Sequence, residues 1–264
     1  FSCSSCHYPY RAHGPKTDKR IYGPEVSPRE LAQEAFHLDC SLLTSSLGEP
    51  TVFLEYVLDA SREARLLGLA SALVTNGYMS SRSLNRAAPV VDAAVVWLPA
   101  LSDAFYNRQC GAWVQPVLAN IREMRERGIW LEVLTPLLPE EWDTAEELKA
   151  IAEFLALLGE EIPWHITTAP FWTARAEVGQ LREERLLLAR QIGFEAGLKY
   201  VYLADPNIGE GRSTRCSGCK ALLVDRTGDQ ARNVGLEGNR CRRCGSRIEG
   251  VGLLGDKKGQ PLFG

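Results

Sequence analysis

The sequence predicts an α/β fold, a partial (β/α)6 TIM-like barrel followed by a small cysteine-rich module. Three observations lead to this prediction. Short apolar runs alternate with amphipathic helical segments from about residue 28 to residue 204. The apolar runs are continuous, which is typical of parallel strands covered on both faces. From about Gly209 the composition changes to glycine, arginine and cysteine. We therefore expect a barrel over residues 1–208 and a separate module over residues 209–264.

Each element has its own signal. Ser27 followed by Pro28 predicts the N-cap and the first position of an opening helix. Six strands are predicted, at residues 39–45, 70–75, 93–98, 130–136, 164–168 and 200–204. The later helices are predicted near residues 51–67, 81–88, 115–127, 144–158 and 178–197. Regular β-α repetition favours a barrel over an open mixed sheet. Within the module, residues 221–225 and 247–248 are predicted as short strands.

Composition limits the possible functions. With 264 residues, 45% of them hydrophobic and 24% charged, the chain can hold one barrel-sized domain and an appendage. A net charge of −3 gives no electrostatic reason to propose nucleic acid or an anionic membrane as a partner. No apolar run approaches the roughly 20 residues needed to cross a bilayer. Paired cysteines in such a chain indicate metal ligation in a reducing compartment, so we expect a cytoplasmic protein.

Four cysteines near the C-terminus form two CxxC pairs, Cys216 with Cys219 and Cys241 with Cys244. Each pair lets two thiolates from one tight turn reach the same ion. Two facing turns then give the tetrahedral sulfur site that Zn²⁺ prefers. Two independent reduced pairs, or a second iron–sulfur cluster, are the alternatives. The short strands between the pairs favour a structural zinc ribbon.

A third CxxC pair, Cys3 with Cys6, lies at the start of the sequence. Taken alone, this pair could be redox-active, metal-binding or incidental. Two strand ends follow it: Gly48-Glu49-Pro50 after the first predicted strand and Thr75-Asn76-Gly77 at the end of the second. A carboxylate and free carbonyls at a strand end suit an ammonium ligand, because each of its protons needs an acceptor. A plain loop at Pro50 and a common Asn-Gly turn are the alternatives.

Several segments together resemble a known family. They are residues 49–56, 75–79, 105–112, 163–165 and 196–202, together with the C-terminal cysteine ribbon. These segments resemble radical S-adenosylmethionine (SAM) enzymes related to pyruvate formate-lyase-activating enzyme, and within them the AmmeMemoRadiSam-system branch. The resemblance extends from Cys3 to about Val251. It implies a radical SAM partial barrel with a zinc-ribbon tail.

The resemblance also implies a cofactor site. Cys3 and Cys6 would be the last two ligands of a CxxxCxxC motif holding a [4Fe-4S] cluster, with the first cysteine and the first strand upstream of Phe1. Gly48-Glu49-Pro50 would meet the amino group of SAM, and Thr75-Asn76-Gly77 would contact its ribose and adenine. His165 would lie near the cofactor, although a lone histidine is also a common structural residue. No catalytic side chain is assigned.

The implied reaction is reductive cleavage of SAM to a 5′-deoxyadenosyl radical, which abstracts hydrogen from an unknown protein or small-molecule substrate. The implied partners are Memo-like and AMMECR-like proteins of the same three-component system, and a flavodoxin or ferredoxin as reductant. Without the upstream cysteine, we expect this chain to hold the cluster poorly and to be inactive.

The sequence departs from the family pattern at residues 95–100, 138–143 and 167–172, where apolar or bulky residues replace polar ones. Either the substrate differs, or the protein is a non-catalytic scaffold with zinc as its only metal. Cys40 and Cys110 are predicted to be packing residues, with Cys110 the nearer to the pocket because Gly111 follows it. Glu132 is predicted to lie on a solvated face.

Overall fold

The structure, a computed structural model, describes Cys3 and residues 23–137, 144–168, 179–204, 209–227 and 231–250. Cys6 and the departures at 138–143 and 169–172 lie outside these residues. The opening helix α1 spans Pro28–His37. The predicted cap is confirmed. The Ser27 hydroxyl accepts a hydrogen bond from the Glu30 backbone N–H, and the Glu30 carboxylate accepts one from the Ser27 backbone N–H.

Strands and helices then alternate along the chain. The strands are β1 (Leu42–Ser45), β2 (Ala70–Thr75), β3 (Ala93–Trp97), β4 (Trp130–Leu137), β5 (Trp164–Thr168) and β6 (Val201–Leu203). The helices are α2 (Leu54–Leu66), α3 (Ser81–Ala87), α4 (Gln115–Glu126), α5 (Ala145–Leu158) and α6 (Gly179–Glu195). A 3-10 turn at Pro50–Phe53 precedes α2, and a π-helical turn at Tyr106–Cys110 precedes α4.

The strands follow chain order in a six-stranded sheet, β1-β2-β3-β4-β5-β6. The β1–β2, β2–β3, β4–β5 and β5–β6 pairs are parallel. This order confirms the predicted α/β fold, and all six predicted strands are present. The predicted burial on both faces is only partly correct. Residues alternate between buried and half-buried along β3 and most of β4, because one face of these strands carries polar or partly exposed side chains.

The chain divides into two compact units. Unit 1 contains the described residues up to 97 together with Tyr106–Leu131, and unit 2 contains Leu98–Phe105 and the residues from 132 to 250. In unit 1, α1 and α2 pack through small residues such as Ala32 and Ala64, with Cys40 against this cluster. In unit 2, the buried Trp164 donates from Nε1 to Thr135 Oγ1 at 2.9 Å, and Gly193 of α6 lies against its ring.

The C-terminal part of unit 2, residues 209–250, is called the four-cysteine module below. It begins with the short helix α7 (Gly209–Arg212) and continues with β7 (Thr214–Arg215), β8 (Leu222–Asp225), β9 (Arg232–Asn233), β10 (Leu236–Glu237) and β11 (Arg240–Cys241). The predicted strand at 221–225 is confirmed as β8. The prediction at 247–248 is reduced to a single bridge between Arg240 and Arg247.

No helix within the described ranges combines the length and the apolar character needed to cross a bilayer.

Candidate cofactor and metal sites

The predicted strand ends meet through the Glu49 carboxylate. Glu49 Oε1 accepts hydrogen bonds from Thr75 Oγ1 at 2.7 Å and from Thr51 Oγ1 at 3.0 Å. Glu49 Oε2 accepts one from the Asn76 backbone N–H at 2.8 Å. Because β1 and β2 are adjacent and parallel, their carboxyl ends bring these residues together. Each carboxylate oxygen can accept about two hydrogen bonds, so Oε2 retains capacity for a further donor such as an ammonium group.

A tight turn follows β2. The Gly77 backbone N–H donates to Thr75 Oγ1 at 3.1 Å, and that of Tyr78 donates to Asn76 Oδ1 at 2.8 Å. Gly77 has a φ of +71°, and a Cβ on it would lie 2.9 Å from Val96 Cγ1. Only glycine satisfies both the conformation and the space at this position. The turn is therefore fixed by its own backbone and by the strand beside it.

Asn120 completes this arrangement, and the sequence did not indicate it. Its Nδ2 donates to the backbone carbonyls of Gly77 and Met79, at 2.8 Å each. Asn120 is 4% exposed on α4. Its buried neighbours on α4 are all apolar, namely Val117, Leu118, Ile121 and Met124. A polar residue on an apolar helix face was the available signal. We call Glu49, Thr51, Thr75, Asn76, Gly77 and Asn120 the strand-end network.

Gly48 and Pro50 flank the carboxylate. Pro50 is buried at the start of the 3-10 turn, where Glu49 acts as N-cap by accepting from the Thr51 backbone N–H. A Cβ added to Gly48 would meet no atom within 4 Å. The loop therefore leaves open space beside Glu49, while Pro50 fixes the entry into the following turn.

Cys3 lies beside Cys110, with 3.4 Å between the two sulfur atoms. Cys110 is buried and ends the π-helical turn Tyr106–Cys110, a geometry that is frequent at functional sites. The hydrogen bond with Cys110 lowers the pKa of Cys3, whereas the same contact and burial raise the pKa of Cys110. The role of Cys3 as a cluster ligand stays a prediction, as does the expectation that Cys110 lies nearer to the pocket than Cys40.

His165 belongs to unit 2 and has its own set of partners. Its Nε2 lies 2.6 Å from Glu132 Oε2, and its ring stacks on that of Tyr202 with 5.2 Å between centroids. In the parallel register His165 is directly opposite Tyr202 and beside Leu134, so Glu132 lies on the same strand face. The prediction of a merely solvated Glu132 is wrong, because this register places it against the imidazole. The cofactor contact of His165 stays a prediction.

The four cysteines of the module converge. Their Sγ atoms all lie within 4.8 Å of one another. Cys216 and Cys244 are 3.6 Å apart, as are Cys219 and Cys241. Ligands at the usual Zn–S distance of about 2.3 Å form a tetrahedron with edges of about 3.8 Å, so the four sulfurs fit one ion. A hydrogen bond with Ser246 lowers the pKa of Cys244 to about 6, which favours the thiolate.

Two turns and a small core hold these cysteines. The Cys219 backbone N–H donates to Cys216 Sγ at 3.5 Å. Gly245 has a φ of +74°, which a turn after Cys244 requires. Cys216 and Cys241 are buried in a cluster with Leu223, Leu236, Ile248 and Tyr200. The fold therefore brings the four predicted ligands together in a group that could hold a metal ion.

Comparison with known proteins gives curated relatives and solved structures of similar fold. No model of a known protein family matches the chain. An uncharacterised protein of Methanocaldococcus jannaschii is 34% identical over 228 residues, covering 85% of this chain and 68% of that protein. Isethionate sulfite-lyase activating enzyme of Nitratidesulfovibrio vulgaris is 30% identical over 128 residues, 47% of this chain. The chain spans only 42% of that enzyme's length.

Solved structures show the same fold. A domain of pyruvate-formate lyase-activating enzyme from Bacteroides vulgatus superimposes with a TM-score of 0.52 and 20% identity, covering 62% of this chain and 98% of that one. Streptococcus suis SuiB bound to S-adenosylmethionine gives a TM-score of 0.57 at 12% identity, covering 70% of this chain and 45% of SuiB. The chain is homologous to radical SAM activating enzymes and shares their fold. The predicted resemblance is confirmed to this extent, whereas the AmmeMemoRadiSam branch stays a prediction.

Proposed function

We propose that this protein cleaves SAM reductively to a 5′-deoxyadenosyl radical, which abstracts hydrogen from a substrate. The observation that carries the proposal is the strand-end network in a chain of this family. A carboxylate and a glycine turn are joined at the carboxyl ends of two adjacent parallel strands, the edge at which barrel enzymes bind their ligands. In this proposal Glu49 accepts from the SAM amino group, and Asn76 and Gly77 contact its ribose and adenine.

Cys3, Cys6 and an upstream cysteine would hold a [4Fe-4S] cluster, which supplies the electron for SAM cleavage. In this proposal the protein's own groups bind SAM and orient it. Oε2 of Glu49 offers an acceptor, and its fixed partners keep the carboxylate from turning away. Asn120 holds the backbone carbonyls of Gly77 and Met79 in place by donating a hydrogen bond to each. His165 is proposed to lie near the cofactor, with Glu132 orienting its ring.

We propose zinc for the four-cysteine module. The supporting observation is the closeness of the sulfurs, which lie within 4.8 Å of one another. A [4Fe-4S] cluster binds each cysteine to a different iron, so its ligands are separated by iron and sulfide atoms. One tetrahedral ion needs the short separations found here. We also propose that the barrel ends near residue 208, where α7 leads into the module.

The substrate is proposed to be a protein or a small molecule, and the partners to be a flavodoxin or ferredoxin reductant and the Memo-like and AMMECR-like proteins. Curated relatives are named as enzymes that activate another enzyme, which supports a protein substrate. A cytoplasmic location is part of the same proposal, since reduced cysteines and an oxygen-sensitive cluster require a reducing compartment.

Anaerobic reconstitution of the full-length protein tests this function. We expect about four iron and four sulfide per chain, as the cluster formula requires, and 5′-deoxyadenosine that forms only with reductant and SAM. The Glu49→Gln variant should lose most of this product, whereas Glu55→Gln, an exposed residue paired with Arg86, should retain it. The rival is a non-catalytic zinc-containing scaffold. A full-length protein that binds only zinc and leaves SAM intact would establish that rival instead.

A further inference from the structure

The four-cysteine module is built onto β6. Tyr200, the residue before β6, is 4% exposed and belongs to the apolar cluster around Cys216 and Cys241. Its hydroxyl donates to Glu249 Oε2 at 2.9 Å. Gly211 of α7 lies so close to β6 that a Cβ on it would be 2.7 Å from Leu203 Cβ. The module and the end of the sheet are therefore one packed body within unit 2.

Tyr202 continues this contact from the middle of β6. Its hydroxyl is hydrogen-bonded to Thr214 Oγ1 of the module at 2.9 Å. Arg226 donates from Nη1 to the same Oγ1 at 2.7 Å, and its guanidinium carbon lies 5.8 Å from the centre of the Tyr202 ring. Burial raises the pKa of Tyr202, so the phenol stays protonated. Two module residues thus fix one tyrosine of the sheet.

The other neighbour of Tyr202 is His165. The two rings are nearly parallel, with 24° between their planes, and the imidazole Nε2 is 2.6 Å from Glu132. His165 and Glu132 keep 26% and 30% of their side-chain surface exposed. The pair can therefore meet a ligand, while its position depends on the ring stacked against it.

The metal ligands are close in sequence to the groups that hold Tyr202. Thr214 precedes Cys216 by two residues, and β7 pairs with β8, which ends just before Arg226. A metal ion bound by the four cysteines would tie the turn after β7 to the turn after β11. Because a small module of this kind depends on its metal for order, losing the ion would release Thr214 and Arg226.

We infer that the four-cysteine module positions the His165–Glu132 pair through Tyr202, so that metal occupancy of the module controls the placement of the imidazole. Thr214, Arg226 and Tyr202 are positioning residues in this scheme. The coupling itself does not depend on the radical SAM chemistry proposed above. Its consequence for cofactor binding does depend on that proposal. It makes the module a support of the His165–Glu132 pair within unit 2.

Histidine NMR tests the coupling. The full-length, zinc-loaded protein is labelled at histidine Cε1, and the His165 resonance is assigned by its loss in His165→Gln. We expect chelation of zinc to shift or broaden the His165 resonance. His37, at the end of α1 in unit 1, is the internal control and should not change. An unchanged His165 resonance in a protein whose module amides have lost their dispersion would overturn the inference.

Substitutions test the same coupling with the metal in place. Thr214→Val removes the hydroxyl that holds Tyr202 and should move the His165 resonance, whereas Thr214→Ser should retain it. Tyr200→Phe is the matched control, because it removes a module contact of β6 that does not involve His165. If chelation unfolds the whole chain, the comparison of these variants in the zinc-loaded protein tests the coupling instead. Equal His165 resonances in wild type, Thr214→Val and Arg226→Gln would refute the coupling.

Discussion

The strand-end network and the four-cysteine module are both sites of polar side chains, but they are ordered by different means. In the network, Glu49 and Thr75 are 26 residues apart and meet because β1 and β2 are paired. In the module, four sulfurs lie within 4.8 Å of one another, beside a cluster of buried residues to which the described part of the module contributes five and the end of the sheet contributes Tyr200. The network is stabilised by the sheet before any ligand binds, whereas we propose that the module depends on a metal ion for its order. This difference predicts which of the two sites loses its structure first, and which substitution causes the loss.

The largest effect should come from the module. Replacing Cys241, which is 2% exposed, by serine removes one of four thiolates. Structural zinc contributes about 10–16 kcal/mol of apparent binding free energy in small zinc domains, so losing a ligand should release the metal and unfold the module. Metal content and hydrogen exchange measure this. We expect Leu223 and Leu236 amides to lose protection while those of β2 keep theirs.

Cys40→Ser is the control for this experiment. Cys40 packs against the α1–α2 cluster in unit 1 and is not one of the four converging cysteines. Its replacement should leave metal content unchanged and cost about 1 kcal/mol. If Cys241→Ser retained one zinc per chain and full protection in the module, the dependence on metal would be disproved.

The next effect concerns the cofactor. Glu49→Gln keeps the shape of the side chain but replaces one acceptor oxygen by a donor, opposite Thr75 or the Asn76 backbone N–H. Hydrogen bonds to charged groups contribute about 1.5–3 kcal/mol, so we expect SAM affinity to fall at least about tenfold. Equilibrium dialysis of the reconstituted full-length protein measures this. Equal affinity in Glu49→Gln and in the exposed Glu55→Gln control would remove Glu49 from the proposed site.

Gly77→Ala should lower the stability of the protein more than the loss of a single hydrogen bond does. The new Cβ would meet Val96 Cγ1 at 2.9 Å and Val117 Cγ1 at 3.1 Å, at a φ of +71°. Strain and overpacking together should lower the free energy of unfolding by about 2–4 kcal/mol. Gly111→Ala is the matched control, since Gly111 has a φ of +63° but no atom within 4 Å of its Cβ position. Urea denaturation should show a clearly smaller loss for Gly111→Ala, and equal losses would refute the packing argument.

The smallest effect should come from Thr51→Val. It removes one hydroxyl from the Glu49 carboxylate, a hydrogen bond of 3.0 Å, and leaves the bonds to Thr75 and Asn76. One hydrogen bond of this kind contributes about 0.5–1.5 kcal/mol to stability. Thermal denaturation measures the change, and Thr51→Ser should restore most of it. A loss as large as that of Gly77→Ala would mean that the network has no redundancy.

The sequence predicted the elements well because their signals are local. All six strands of the sheet were predicted, and β2 and β5 begin and end where expected. The Ser27 cap and the two C-terminal CxxC pairs were likewise found from residues a few positions apart. Continuous apolar runs predicted strands buried on both faces. In β3 and most of β4, buried residues instead alternate with half-buried ones. Hydrophobicity alone does not show that one face of these strands stays partly open.

The site partners were harder to predict because they are far apart in the chain. Asn120 reaches Gly77 across 43 residues, Glu132 reaches His165 across 33, and Cys3 reaches Cys110 across 107. Their side chains are ordinary ones on a helix, on strands and at the end of a π-helical turn. Only the parallel register and the helix packing decide which of them meet.

The sequence by itself therefore determined the fold class, the family and the spacing of the metal ligands. Each depends on short-range patterns: hydrophobic period, capping and paired cysteines. The tertiary structure decided that Glu49 holds the Asn76-Gly77 turn, that Glu132 pairs with His165, and that Tyr202 joins this pair to the four-cysteine module. The physical reason is strand register: a shift of one residue would turn Glu132, His165 or Tyr202 to the other face of the sheet, and pairing of β1 with β2 brings the loops that follow them together.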